Sequence, residues 1–294
     1  MEANIKVENK RDNKKKSQLG EVWFRLKKDK LALVGLTILI LLILMAIFAG
    51  VIAPYEYDEQ NLNNILQSPN KEHLFGTDEF GRDIFSRIIY GSRISLQVGF
   101  IAVSIAAIIG GFLGAVAGYF SGKTDNIIMR AMDILLSIPQ MLLAISIVAA
   151  LGSGLTNLMI AVGISSIPQY ARIVRAAVIS IKNEEFVEAA KATGSGDLRI
   201  IFKHILPNCL APIIVQATLG VALAILTAAG LSFIGLGIEP PTPEWGSMLS
   251  GGRGYIRDYS YMTLFPGLAI VITIFALNVL GDGLRDALDP KLRN

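Results

Sequence analysis

Residues 31–53 read LALVGLTILILLILMAIFAGVIA, twenty-three positions without an Asp, Glu, Lys or Arg. A hydrocarbon layer about 30 Å thick is crossed by roughly 20 helical residues at about 1.5 Å each, and core helices of soluble proteins seldom run that far without a charge. The stretch therefore reads as a membrane span. Working outward, residues 94–122, 210–238 and 259–281 are charge-free as well. Residues 134–170 also lack charge and are interrupted by Leu151-Gly152-Ser153-Gly154, where glycines end a helix at little cost, so they count as two spans joined by a tight turn. An all-α integral membrane fold with six transmembrane helices is predicted. Composition agrees, with 52% of the 294 residues hydrophobic and 17% charged.

Six spans put both termini on one side, and cations near span ends are retained on the cytoplasmic side. With N-in and C-in, twenty-one of the 27 Lys and Arg fall inside, and Lys71, Arg82, Arg87, Arg93, Arg253 and Arg257 fall outside. That orientation is predicted. A secretory signal would also carry cations such as Lys14, Lys15, Lys16, Lys27, Lys28 and Lys30 ahead of an apolar run. Signal h-regions, however, are about 7–15 residues long and end at a small-residue cleavage site. This run is longer and continues into Ala53-Pro54, so it is expected to remain as an anchor. Residues 1–20 are Lys- and Asn-rich without periodicity and are expected to be disordered. Residues 21–30, with Val22, Trp23, Phe24 and Leu26 among cations, read as a short interfacial helix. The basic tail is a topology signal and a contact for anionic headgroups, and no nucleic-acid partner is predicted.

Chemistry is sparse. Cys209 is the single cysteine, which excludes an intramolecular disulfide and a Cys-cluster metal site. His73 and His204 fall on opposite sides of the membrane and read as ordinary polar contacts. Ala117-Gly118-Tyr119-Phe120-Ser121-Gly122-Lys123-Thr124 ends like a phosphate-binding loop, but its first glycine is replaced by Ala117 and it follows an apolar helix where that motif needs a strand. Lys123 is thus a positive-inside charge, and no ATP hydrolysis by this chain is expected. No Gly-x-Ser-x-Gly elbow or His-Glu-x-x-His helix occurs. Asp133 and Asp282 lie near span ends and read as helix-end charges rather than a proton relay.

Outside, residues 54–90 exceed a turn. Thr77 or Asp78 is expected to cap an amphipathic helix with Phe80, Ile84, Phe85 and Ile88 on its apolar stripe and Arg82 and Arg87 facing elsewhere. Asp78, Glu79 and Asp83 lack the loop spacing of a cation site and are read as capping and Arg-pairing groups. Glu239-Pro240-Pro241-Thr242-Pro243-Glu244-Trp245-Gly246 cannot be regular helix, because its prolines remove amide donors. It belongs at the outer interface or in a watery cavity, with Trp245 at headgroup level, as a surface plug or a gate element.

Residues 172–208 form a polar island between two long apolar segments. Asn183 can cap a helix with Glu184 and Glu185 in its first turn, Gly194 suits a left-handed C-terminal position, Asp197 can cap a second helix, and Pro207 can open the next span. Helix, turn, helix is expected. Each piece is shorter than the roughly 12–15 residues at which isolated helices become marginal in water, so packing must hold them.

These residues resemble the EAA loop of binding-protein-dependent ABC importer permeases: Glu-Ala-Ala, three residues, Gly, nine residues, Ile, one residue, Leu-Pro. Glu188, Ala189, Ala190, Gly194, Leu206 and Pro207 fall on the pattern, while His204 takes the isoleucine slot. The run 197–208, the segment from Gly76-Thr77-Asp78 to Gly81-Arg82-Asp83, the Pro-rich stretch and Asp289-Pro290-Lys291-Leu292-Arg293 resemble the peptide and nickel branch, in particular the second permease subunit of dipeptide and oligopeptide importers.

The resemblance implies a type I ABC importer transmembrane domain in a bacterial plasma membrane. It would divide into a tail and interfacial helix (1–30), a first span with its external segment (31–93) and a five-helix core (94–294) carrying the coupling loop. It assigns ATPase coupling to Glu185, Phe186, Glu188, Ala189, Ala190, Ala192, Thr193, Gly194, Leu206 and Pro207. Glu188 would make polar contacts, Ala189 and Ala190 would permit close approach, and Gly194 would allow the sharp turn. Asp78, Arg82, Asp83, Pro241, Glu244 and Trp245 would form an outer gate or binding-protein contact. Implied partners are a related permease in a heterodimer, one or two cytoplasmic ATPases that hold ATP and Mg, and an extracellular solute-binding protein. This chain would bind no cofactor. A nickel importer of the same family, and an ion-coupled secondary carrier, are the alternatives.

Overall fold

A computed structural model describes residues 18–288 and is all-helical over them. The basic tail before residue 18 and the Asp289–Arg293 motif lie outside the described residues. The helices are α1 (Gln18–Leu26), α2 (Lys30–Ile47), α3 (Ala49–Ile52), α4 (Ile84–Phe120), α5 (Gly122–Leu136), α6 (Gln140–Leu151), α7 (Leu155–Ile181), α8 (Glu185–Ala192), α9 (Asp197–Arg199), α10 (Leu210–Phe233), α11 (Trp245–Gly252) and α12 (Tyr261–Leu288).

Four helical runs are long and apolar enough to cross a membrane: α2, α4, the run Asp197–Phe233 that ends in α10, and α12. A fifth candidate is the pair α5 and α6, bent by 88°. The bend departs from the straight third span expected from charge alone. Ser137-Ile138-Pro139 separates the pair, and a proline amide cannot continue the ladder. The expected fourth span is α7, which has 27 residues but carries Arg172 and Arg175 in its second half.

Local chemistry fixes the ends. Asp29 caps α2, its Oδ1 accepting from Leu31 N (2.9 Å) and Ala32 N (3.2 Å). Arg93 of α4 donates to the carbonyls of Ala46 and Ile47, both at 3.0 Å, and so satisfies the end of α2 where the chain breaks at Phe48. The turn 152–154 joins α6 to α7 as expected and is tied to the Pro-rich stretch by Gly154 N on Gly237 O (3.1 Å) and Ser153 Oγ on Glu239 (2.5 Å).

The bundle is held by close backbone approach. Gly110, Gly114 and Gly118 of α4 lie against Ile167, Ala171 and Arg175 of α7, and Gly35 of α2 lies against Ala276 of α12. Small residues are the means by which helices associate in lipid, where no hydrophobic force drives them together. At one end α1 packs on α12, with Leu26 against Gly283. The N- and C-terminal helices thus meet on the same side of the bundle. Trp23 and Phe24 of α1 are exposed, with Lys27 and Lys28 over their rings at 5.0 and 4.6 Å.

The separate external amphipathic helix does not form. Asp83, not Thr77 or Asp78, is the cap, its Oδ2 accepting from Ser86 N at 2.7 Å, and the helix it opens is α4 itself. Residues 77–83 make a tight turn closed by a Thr77–Asp83 bridge. Ala117–Thr124 is the end of α4 and the start of α5, so a helix stands where a phosphate-binding loop needs a strand.

Candidate coupling hairpin and outer cap

The island 172–208 is built from its apolar residues outward. Val187 and Ala190 of α8 are buried with Ala115, Val174, Val178, Ile200, Ile201, Ile205 and Cys209, a core of their own at one end of the bundle. Leu206 packs on it partly, and Pro207 is exposed. Short helices gain stability from such packing. Glu185, Phe186, Glu188, Ala189, Ala192, Thr193 and Gly194 face outward, Phe186 at 40% exposure. Ala190 therefore seats α8 on its own chain, and the small outward residue of the Ala-Ala pair is Ala189.

The predicted reversal is present. Gly194 adopts φ +75°, Gly194 N bonds Lys191 O (2.9 Å), and Ser195 N bonds Ala190 O (3.1 Å), the paired closure of a Schellman end. Glu185 and Glu188 in the first turn and Lys191 in the last complement the helix dipole. Two expected caps are not used. Glu184, not Asn183, precedes α8, and Asp197 instead accepts from Tyr119 Oη at 2.7 Å, which ties the hairpin to the end of α4. The second helix does not stop before the next span: α9 continues through π-helical Ile200–Ile205 and 3₁₀ Leu206–Cys209 into α10. Lys182 Nζ on Ser121 Oγ (2.5 Å) and a bidentate Arg175–Asp125 pair (2.5 and 2.7 Å) clamp the other arm.

Replacing Val187 by Ala removes two methyls from this small core and is expected to cost about 2 kcal/mol. Limited proteolysis of the hairpin and thermal melting check it. Phe186→Ala, on the outward face, is expected to leave both unchanged.

At the opposite end, the residues expected to form an outer contact are mostly turned inward. Asp78, Arg82, Asp83, Glu244 and Trp245 are buried, and Pro241 alone of the six is exposed. Asp78 Oδ1 accepts from Phe80 N and Arg82 N, while Oδ2 takes Arg82 Nε at 2.6 Å. The expected Arg pairing is therefore present, but Arg82 and Arg87 do not face away. Asp83 bonds His73 Nδ1 at 3.0 Å through its other oxygen. Glu244 caps α11 through Gly246 N and Ser247 N, both at 2.9 Å.

Trp245 does not face lipid or water. It is fully buried, with Nε1 donating to Ile88 O at 3.1 Å, because Gly91 leaves room for its ring on α4. These side chains brace the loops and present little surface to an external protein in this state. No cluster of three or more His, Cys, Asp or Glu that could hold a metal occurs among the described residues.

Membrane-spanning helices, a helical hairpin projecting from one end and a braced cap at the other define a membrane transport component. Residues 106–294 match the model for binding-protein-dependent transport system inner membrane components, and residues 17–69 match the N-terminal TM domain of oligopeptide transport permease C. The chain belongs to the binding-protein-dependent transport system permeases and is a multi-pass inner-membrane protein. It is 55% identical over 274 residues to the dipeptide transport system permease protein DppC of Alkalihalophilus pseudofirmus, covering 93% of this chain and 90% of that one. It is 48% identical over 284 residues to the di/tripeptide permease DppC of Pseudomonas aeruginosa (95% and 94% covered), and 48% identical over 277 residues to the glutathione permease GsiD of Escherichia coli (93% and 90% covered). Among solved structures, the inward-facing MetNI methionine ABC transporter matches with TM-score 0.57 at 19% identity, over 69% of this chain and 96% of that one, a likeness of fold.

Proposed function

We propose that the chain forms one half of the translocation pathway of an ATP-driven peptide importer, with six spans and both termini in the cytoplasm. The observation that carries the reading is α8. A helix seated on its own chain by Val187 and Ala190, presenting Glu185, Phe186, Glu188 and Ala189 outward and closed by Gly194, is a rigid plug suited to a groove in a separate protein. The cations Arg172, Arg175, Lys182, Lys191, Arg199 and Lys203 on or beside this hairpin favour its placement inside. The peptide class is supported by relatives named for dipeptide, di/tripeptide and glutathione transport.

In this mechanism a second permease completes the pathway, and cytoplasmic ATPases, which hold ATP and Mg, grip the two hairpins. Closure of the ATPases draws the hairpins together, and the helices swing between inward-facing and outward-facing arrangements. An external binding protein delivers cargo to the outer cap. ATP can shift this equilibrium only through differential affinity for the two hairpin spacings, and moving a population from 1:99 to 99:1 requires about 5.5 kcal/mol.

Purification from the native membrane is expected to bring down a related permease and one or two ATPases, and vesicles containing the complex, supplied with the external binding protein, are expected to take up dipeptide with ATP and regardless of a protonophore. Uptake by this chain alone, or uptake abolished by the protonophore with ATP present, sinks the reading. Cysteine labelling at Ser195, in a background lacking Cys209, tests the orientation: reaction from outside the cell would reverse it.

A further inference from the structure

Behind the outer turn of residues 78–82 lies a cavity of about 80 Å³, walled by Pro240, Thr242 and α11. It holds two guanidiniums, Arg82 and Arg87, with side chains 7% and 6% exposed, and both face the single carboxylate of Asp78. Arg87 is largely engaged: Nη1 donates to Tyr57 O (2.7 Å) and Pro241 O (3.2 Å), and Nε stands 3.7 Å from Asp78 Oδ2. Arg82 is not. Only its Nε reaches Asp78, its plane lies over the Phe80 ring at 4.6 Å, and neither Nη donates a hydrogen bond among the described residues. Thr242 lines the same cavity, and its hydroxyl also has no partner among the described residues. Glu79, the remaining acid on the wall, is partly exposed.

The Nη edge of Arg82 meets no protein acceptor among the described residues and is open to the cavity, and it is the edge that grips a carboxylate with two parallel hydrogen bonds. We propose that this cavity binds the C-terminal carboxylate of a small peptide at the outer mouth of the pathway. The proposal rests on the importer reading. A buried guanidinium behind a turn is within reach of the end of a small solute and out of reach of a flat protein surface. Dipeptides, tripeptides and glutathione, the cargoes in the relatives' names, have a free terminal carboxylate in common.

The test uses the complex purified with its ATPases, in nanodiscs and without the binding protein, titrated with L-alanyl-L-alanine and with its C-terminal amide by saturation-transfer NMR. The amide is expected to bind at least tenfold more weakly than the acid, and Arg82→Gln is expected to bring the acid down to the level of the amide. Ser247→Asp supplies a carboxylate to the cavity from the first turn of α11, where the helix dipole tolerates it. It is expected to remove peptide binding with melting unchanged, and it decides the matter if Arg82→Gln fails to fold. No binding of the acid, equal binding of acid and amide, or undiminished binding in a folded Arg82→Gln complex overturns the site. If free peptide ignores Arg82 while affinity for the external binding protein falls in the variant, the cavity receives a protein carboxylate and the cargo assignment is overturned. The importer reading stands or falls separately, on ATPase copurification and ATP-driven uptake by the unsubstituted complex.

Discussion

Gly114→Ala is expected to pry α4 away from α7 and lower the melting temperature by roughly 10 °C, whereas Gly111→Ala, the same change three residues earlier, leaves it where it was. A Cβ at Gly114 would stand 3.0 Å from both the Ala171 carbonyl carbon and Arg175 N. Gly110 and Gly118 share the seam, with Cβ positions 2.5 Å from Ile167 O and 3.0 Å from Arg175 O. At Gly111 the nearest atom is Val174 Cγ2 at 3.9 Å, ordinary contact. Overpacking that side chains can absorb costs about 1–3 kcal/mol. Here the obstacle is backbone, which has no rotamer to yield, so the cost is put at about 3 kcal/mol or more, a large part of the ~5–15 kcal/mol that holds a typical domain.

Because α7 carries Val174, Val178 and Arg175, separation at this seam also loosens the support of α8. Melting of the detergent-solubilised protein, with proteolysis of the hairpin alongside, reads both effects. Equal melting of the two alanine variants would mean that the seam does not require the close approach.

The seam shows what the chain discloses and what it hides. Spacing of four between Gly110, Gly114 and Gly118 is present in the sequence, and small residues at that interval are the available signal for close packing. Charge-free runs locate α2, α4, α10 and α12 because lipid imposes a length, but they say nothing about bends, and the break at Pro139 inside an uncharged run was invisible to that criterion. Local chemistry was legible where partners are local: Gly194 and Ser195 close α8 through bonds to residues three and five positions back respectively.

It failed where the partner is distant. Trp245 resembles an interfacial anchor until Gly91 and Ile88 of α4 are brought to its ring. Asp197, a plausible cap, is claimed by Tyr119. Which residues face outward on α8 follows from the small core beneath it, and the sequence motif alone did not separate Ala189 from Ala190.

Gly194→Val is expected to leave the protein in the membrane with its melting unchanged and to reduce ATP-driven uptake more than tenfold. Nothing lies within 4 Å of a Cβ built at Gly194, so no clash within the chain is involved. What valine disturbs is the backbone: at φ +75° an L residue costs about 1–2 kcal/mol, and a β-branched one is poorly tolerated. The hairpin relieves that cost by opening the Schellman closure, which turns Glu185, Phe186, Glu188 and Ala189 away from the direction in which α7 and α10 hold them.

Gly194→Asn separates two causes, because asparagine accepts the left-handed conformation while still adding a side chain. Uptake retained in Gly194→Asn assigns the loss in Gly194→Val to backbone geometry; uptake lost in both assigns it to a partner surface that closes over this spot. Either result is consistent with a docked hairpin, whereas normal uptake by Gly194→Val, in a complex shown to retain its ATPases, is not. The sensitivity follows from the size of the coupling. If the two hairpins together must transmit about 5.5 kcal/mol, a deficit of about 1.4 kcal/mol at one of them shifts the equilibrium tenfold, so a change too small to unfold the protein is large enough to disconnect it from its motor.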